Sequence, residues 1–211
     1  MRKKLLLIGG GGHCGSVMDS VLTLNTYDDI GIVDYTRVNV LGVSTVGTDD
    51  DLPYLFREGW TDAFITVGSV GNVSVRKRLY EKIKGIGFFI PTIIDPSVII
   101  AQEVKIGEGC FIGKRAVINT GSSVGCCSII NTAAIIEHDC FIGPFAHISP
   151  GVILCGKANV GEDSHIGAGT VVKQQLTIGS QTVIGAGSNV VKDIPSNVIA
   201  FGNPCKVVRE R

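Results

Sequence analysis

From Ile94 onward, every sixth residue is aliphatic: Ile94, Ile100, Ile106, Ile112, Ile118, Val124, Ile130, Ile136, Ile142, Ile148, Leu154, Val160, Ile166, Val172, Ile178, Ile184 and Val190. The seventeen positions contain no exception and no insertion. Neither a helical period of 3.6 nor a heptad fits this spacing. Two residues before the aliphatic the side chain is usually small, as at Cys110, Ala116, Ser122, Ser128, Ala134 and Cys140. Glycine often follows it, at 107, 113, 125, 143, 161, 167, 179 and 185. Read physically, each hexad is a short strand with two inward side chains and then a tight corner. Glycine, or an asparagine such as Asn119 or Asn131, is expected to supply positive φ at that corner. One hexad cannot bury its apolar side alone, so stacked neighbours must complete the core. Residues 91–195 are therefore expected to form an all-β parallel β-helix, with 196–211 as a C-terminal tail.

Residues 1–90 carry a different pattern. Apolar strands are expected over Lys4 to Ile8, Ile30 to Asp34 and Ala63 to Val67. Between them lie an amphipathic stretch from Ser16 to Leu24, a helix start with a capping threonine at Thr48, and a charged helix from Asn72 to Lys84. Strands alternating with helices imply a Rossmann-like α/β domain with a parallel sheet. Gly10-x-Gly12-x-x-Gly15 matches the glycine fingerprint of dinucleotide turns, and Asp34 follows nineteen residues later at a strand end. Such glycines admit a phosphate to a helix N-terminus, and such an acid can bind a ribose hydroxyl. Only about ninety residues precede the repeats, half of a two-lobed NAD fold, so a nucleotide of some kind is expected rather than NAD.

Charge narrows the partners. The 19 basic and 19 acidic residues give a formal net charge of zero, which offers no general attraction for nucleic acid or an anionic membrane. The four consecutive apolar residues after MRKK are too few for a signal peptide, and no run reaches a membrane span, so a cytoplasmic chain is expected. The seven cysteines form no CxxC pair, and most lie among small residues of the repeat, as reduced packing groups.

Two of the four histidines lie in IIEHDCFIGPFAHISPG, residues 135–151. His138 is the second residue after inward Ile136, a corner or outward site. Histidine accepts a proton near neutral pH, and an adjacent acid can fix its tautomer and stabilise the imidazolium. Glu137 and Asp139 are both candidates for that acid.

The hexad pattern resembles the left-handed β-helix of hexapeptide-repeat acyltransferases, whose coils have three flat faces. On that likeness eighteen residues complete a coil, and stacked strands lie about 4.8 Å apart. Gly156 then lies above His138, where its N–H could stabilise an oxyanion. His147 and His165 stack in the same way. There is no His-x4-His pair, and no metal is expected. His165 is assigned to the surface.

The order of the two domains resembles the bacterial sugar O-/N-acyltransferases, which include sialic acid O-acetyltransferases and UDP-4-amino-sugar N-acetyltransferases. The landmarks are IGGGGHCG at 8–15, IVDY at 32–35, VGTDDDL at 46–52, INTAAIIEHDCFIG at 130–143, HISPGVILCG at 147–156 and FGNPCKVV at 201–208. The resemblance implies an acetyl-coenzyme A-dependent N-acetyltransferase acting on a UDP-4-amino-4,6-dideoxy sugar. O-acetylation of sialic acid or another sugar is the alternative, and an NAD-binding oxidoreductase or a non-catalytic solenoid are remoter ones. It makes His138 the general base assisted by Asp139, and places Gly156 near the acetyl carbonyl. Gly12, His13, Asp34 and Gly68 become nucleotide-sugar contacts, and Asn131 and His147 acceptor contacts. Gly202, Pro204 and Lys206 become coenzyme A contacts, with a plain solenoid cap as the alternative. Prisms of this kind form homotrimers, for which outward Phe111, Val117 and Phe141 are interface candidates. An acyl-cysteine route through Cys140 or Cys155 is not expected, because neither has an evident basic partner.

Overall fold

A computed structural model describes residues 2–211. The chain separates into two compact units, one holding the described residues up to Ser69 with Val73–Pro96, the other Val70–Asn72 with Ser97–Arg211.

The first unit is an α/β sandwich. Its elements are β1 (Lys4–Ile8), α1 (Gly12–Leu24), β2 (Asp29–Val33), β3 (Asn39–Val40), β4 (Val43–Gly47), α2 (Leu52–Arg57), β5 (Asp62–Ile65) and α3 (Ser74–Ile86). The sheet order is β3-β4-β2-β1-β5, with β4, β2, β1 and β5 parallel. Leu5, Leu6 and Leu7 of β1 are fully buried, as a central parallel strand covered on both faces requires. The antiparallel pair β3–β4 was not foreseen from the sequence pattern. Thr48 does not cap α2 as expected. Its N–H and hydroxyl both donate to Asp51 Oδ2, and Asp51 occupies the N-cap position without a side-chain cap of its own.

The second unit is a left-handed β-helix of two-residue strands, each paired in parallel with the strand eighteen residues later. One face stacks Ile99–Ile100, Val117–Ile118, Ile135–Ile136, Ile153–Leu154, Val171–Val172 and Asn189–Val190. The second stacks Lys105–Ile106, Ser123–Val124, Phe141–Ile142, Asn159–Val160 and Thr177–Ile178. The third runs from Phe111–Ile112 through Ile129–Ile130, His147–Ile148 and His165–Ile166 to Val183–Ile184. There the tail adds Val198–Gly202 in parallel and Cys205–Glu210 antiparallel to it. Inward aliphatics from Ile112 to Val190 are at most 3% exposed. Burying each contributes about 1.5–3 kcal/mol, which is the source of the prism's cohesion. The small inward residues carry a second ladder. Ser122, Ser128, Ser164 and Thr170 each donate a hydroxyl to the carbonyl fifteen residues on.

The corners correct one expectation. Positive φ falls on the third residue after the aliphatic, including Glu103, Arg115, Ala133, Asp139, Lys157 and Asp163, and not on the glycine or asparagine directly after it. Those glycines are needed for another reason, the close approach of the next coil. A Cβ on Gly107 would lie 2.7 Å from the Cys126 nitrogen, and one on Gly125 would lie 2.5 Å from the Pro144 nitrogen. Glycine therefore occupies every such position along the second face, at 107, 125, 143, 161 and 179.

Phe111 also departs from expectation. It is 2% exposed and so is not an outward contact surface. Phe141 is 49% exposed and Val117 half-buried. No described helix is long and apolar enough to cross a membrane.

Candidate active site

His138 lies at the corner between the first and second faces, and its side chain is about half exposed. Asp139 follows in the left-handed region, φ 59°, which swings its carboxylate back beside its neighbour. Its Oδ2 lies 3.0 Å from His138 Nδ1. A carboxylate oxygen accepts hydrogen bonds, so Nδ1 is the donor in this contact, and in the neutral ring the lone pair then lies on Nε2. Of the two candidate acids, Asp139 makes this contact.

The coil above supplies the other wall. Lys157 N–H donates to the His138 carbonyl at 2.9 Å, so Gly156 stacks directly over His138. A Cβ on Gly156 would overlap the imidazole, lying 2.7 Å from Cε1 and closer still to Nε2. The ladder uses the amides of Cys155 and Lys157 but not that of Gly156. The corner thus holds a lone pair on an imidazole and an unspent backbone donor side by side.

The coil below adds a residue the sequence reading missed. A Cβ on Gly121, at φ 71°, would lie 2.5 Å from Asp139 Oδ1. Glycine eighteen residues before the acid matches glycine eighteen residues after the histidine, a signal visible once the coil length is known.

The third face holds the other histidines. His147 pairs in register with His165, their rings edge to face with centroids 4.9 Å apart. Asn131 Nδ2 lies 3.3 Å from His147 Nε2, so these two expected acceptor contacts adjoin. His165 is not a surface residue: it is 8% exposed, with Nε2 3.4 Å from the Ser149 hydroxyl. Its outward strand position lies one coil below Val183, which the segment Val70–Asn72 covers at Gly71. Burial, reinforced by His147, pushes its imidazole down to about 4.

Cys140 is fully inward, its thiol directed at the Cys155 carbonyl, and burial raises it to about 11. A thiol so placed is a packing group. No group of three metal-ligating side chains occurs among the described residues. In the tail, Gly202 is half-buried and its N–H donates to the Ser188 hydroxyl, while Pro204 and Lys206 are exposed.

In the first unit the glycine turn joins β1 to α1. Gly10 N–H donates to Asp34 Oδ2 at 2.7 Å, and Thr36 donates twice to Oδ1, by its N–H and its hydroxyl. The amides of Thr36 and Gly10 hold the carboxyl below its ordinary value. Asp34 therefore braces the turn as well as standing at the strand end. Gly10 is crowded by Val38 and Asp34, whereas a Cβ on Gly11 or Gly12 would meet nothing within 4 Å. Gly15 would meet only Val40, at 4.0 Å, so the third fingerprint glycine is not sterically required. Gly68 adjoins His13, whose Cβ lies 3.5 Å from where a Cβ on Gly68 would stand.

Family models match both halves, the PglD N-terminal domain over residues 4–83 and the hexapeptide repeat of succinyl-transferase over 103–131 and 133–174. PerB from Caulobacter crescentus, in complex with CoA and GDP-perosamine, is 36% identical with a TM-score of 0.92, covering 98% of this chain and 97% of that one. The acetyltransferase domain of PglB from Neisseria gonorrhoeae, in complex with acetyl coenzyme A, is 37% identical with a TM-score of 0.92, covering 99% and 100%. The GDP-perosamine N-acetyltransferase of Escherichia coli O157:H7 is 30% identical over 83 residues, 39% of this chain and 38% of that protein. The matched segments span only 14 to 38% of the length of such curated relatives. Hexapeptide coils that follow a PglD-type domain in the chain define a hexapeptide-repeat acyltransferase. The chain belongs to the bacterial sugar acyltransferases that join a PglD-type N-terminal domain to hexapeptide coils.

Proposed function

We propose that this protein is an acetyl-coenzyme A-dependent N-acetyltransferase acting on an amino sugar carried by a nucleoside diphosphate. The observation that carries this reading is the His138–Asp139 pair beneath Gly156. In the proposed reaction the neutral sugar amine attacks the thioester carbonyl, and His138 Nε2 takes the proton as the C–N bond forms. Asp139 stabilises the resulting imidazolium. The Gly156 N–H donates to the tetrahedral oxyanion. Collapse breaks the C–S bond, and the proton returns through His138 to the departing thiolate. Cys140 takes no part.

The first unit is assigned the nucleotide. The open space over Gly11 and Gly12 at the N-terminus of α1 suits a pyrophosphate, and His13 and Gly68 stand beside it. Asp34, at the strand end, is assigned the ribose. Asn131 and His147 are assigned to the acceptor, and Gly202, Pro204 and Lys206 to coenzyme A. The complexes of PerB with CoA and GDP-perosamine and of the PglB domain with acetyl coenzyme A support both ligand classes. Contacts to pyrophosphate and ribose are common to uridine and guanosine carriers.

A homotrimer is part of the proposal. The outward residues of the first face are aliphatic on five successive coils, Ile99, Val117, Ile135, Ile153 and Val171, and the His138 corner follows the middle one, Ile135. An apolar strip of that length is characteristic of an association surface. Light scattering giving three times the chain mass is the expected result.

The test of function is release of free thiol from acetyl-coenzyme A. Thiol should appear only when a nucleotide-linked amino sugar is added, and His138→Ala should abolish it. Release with no acceptor requirement, or full activity in that variant, would sink the reading.

A further inference from the structure

A cavity of about 250 Å³ opens at the carboxyl ends of the parallel strands of the first unit, between the segments that follow β2 and β5. It lies at the edge where open α/β sheets bind ligands. Pockets for whole ligands run to about 300–1,000 Å³, so this one suits part of a ligand. Val33, Val67 and Leu79 give it apolar walls, and its charged lining residues are Asp34, whose oxygens face Thr36 and Gly10, and the oppositely charged Asp49 and Arg78.

Asp49 differs from the acids around it. Asp34 accepts from Gly10 and twice from Thr36, which leaves room on Oδ2 alone, Asp51 accepts twice from Thr48, and Asp50 pairs with Lys82 at 3.5 Å. The Asp49 carboxylate accepts no hydrogen bond from a described residue. Partial burial raises its carboxyl, only partly offset by the positive charges of Lys82 and Arg78. A desolvated, unspent acceptor beside an apolar slot favours a ligand that brings its own N–H groups.

We infer that this slot reads the base of the nucleotide-linked acceptor, and that Asp49 and Arg78 select guanine. The inference rests on the nucleotide-sugar reading above and deepens it. A carboxylate only accepts and a guanidinium only donates. Guanine presents N1–H and the 2-amino group side by side, matching the two carboxylate oxygens, with the O6 acceptor next along for Arg78. Uracil offers a single N–H between two carbonyls, which leaves one carboxylate oxygen facing a carbonyl. Adenine and cytosine each set a ring-nitrogen acceptor beside their amino group, which repels a carboxylate. The uridine carrier implied by the family resemblance is the weaker match to this slot.

Calorimetric titration of the full chain with nucleoside diphosphates tests this without any acyl transfer. GDP should bind at least tenfold more tightly than UDP, and IDP, which lacks the 2-amino group, should fall between them. In Asp49→Asn, which is close to isosteric, the preference should collapse and xanthosine diphosphate should gain, because its C2 carbonyl accepts from the new amide. In Arg78→Met, GDP should weaken more than UDP. UDP binding as tightly as GDP, or Asp49→Asn leaving the ratio unchanged, overturns the inference while leaving sugar acetylation intact. A guanine preference in a chain that releases no thiol sinks the proposed function and leaves the inference standing. Failure to bind any nucleoside diphosphate ends the inference.

Discussion

The imidazole of His138 occupies the space that a side chain at Gly156 would need. A Cβ there would come within 2.7 Å of Cε1. Gly156→Ala should therefore displace the ring from its position while the inward Leu154 and Ala158 keep the coil packed. Thiol release is expected to fall by about 10²–10⁴-fold, the range of general acid–base contributions. The melting temperature should move little. A variant of unchanged rate would show that the contact does not position the base.

Asp139→Asn tests the partner of that base. The amide can still reach Nδ1 but no longer stabilises an imidazolium, and it can hold the other tautomer. The rate should drop by more than an order of magnitude with little change in the KM for acceptor. Glu137→Gln, at the neighbouring acid that is not the partner of Nδ1, should stay within about threefold of the parent in the same assay. Equal losses in the two variants would remove Asp139 from its assigned role.

His165 gives stability a pH dependence. Its folded value of about 4 lies below the ordinary histidine value of 6.5, so the unfolded chain binds more protons between those pH values. Stability from this group is present above pH 6.5 and is lost as pH falls toward 4. The loss is up to roughly 3 kcal/mol, at 1.36 kcal/mol per pH unit. Urea midpoints measured across that window should fall with acid, and His165→Phe should flatten the trend. A parallel slope in the variant would assign the effect elsewhere.

The two kinds of corner glycine should respond differently to alanine. Gly125→Ala places a methyl 2.5 Å from the Pro144 nitrogen, a backbone atom that cannot step aside. It should cost about 1–3 kcal/mol or more, as overpacking does. Gly151, at φ 66° with nothing within 4 Å, meets only the left-handed penalty of about 1–2 kcal/mol when changed to alanine. Other corners already accept that penalty, as at Ala133 and Lys157. Chemical denaturation of both variants gives the comparison, and equal costs would refute the distinction.

Cys140→Ser should retain activity within about twofold, since serine fills the same inward position at 122, 128 and 164 and donates to the same carbonyl row. Loss of thiol release in a folded Cys140→Ser protein would reopen an acyl-cysteine route.

The period-six aliphatics were enough to specify the β-helix, because a repeat that buries only two side chains per hexad admits no structure except a stack. The Gly-x-Gly turn and Asp34 similarly marked a strand–turn–helix start for the first unit. What the linear pattern could not carry was direction at the corners. The glycines after each aliphatic looked like positive-φ sites, and only the stacked coils show that they answer to crowding instead. The same stacking turned Asp139 rather than Glu137 toward His138 and set Gly121 beneath the acid.

His165 and Phe111 mark the other limit. Both sit at outward repeat positions, which a periodic reading assigns to solvent, yet both are buried, because exposure depends on what the rest of the chain lays over a face. Asp49 is a parallel case: three adjacent acids look alike as letters, and folding alone leaves one of them unspent beside a cavity. Residue spacing by itself thus determined the repeat and the stacked core, and it marked His138 as a corner residue. Which groups meet it, which are hidden and which stay free for a ligand was decided by the tertiary structure, since those depend on contacts between residues eighteen or more apart.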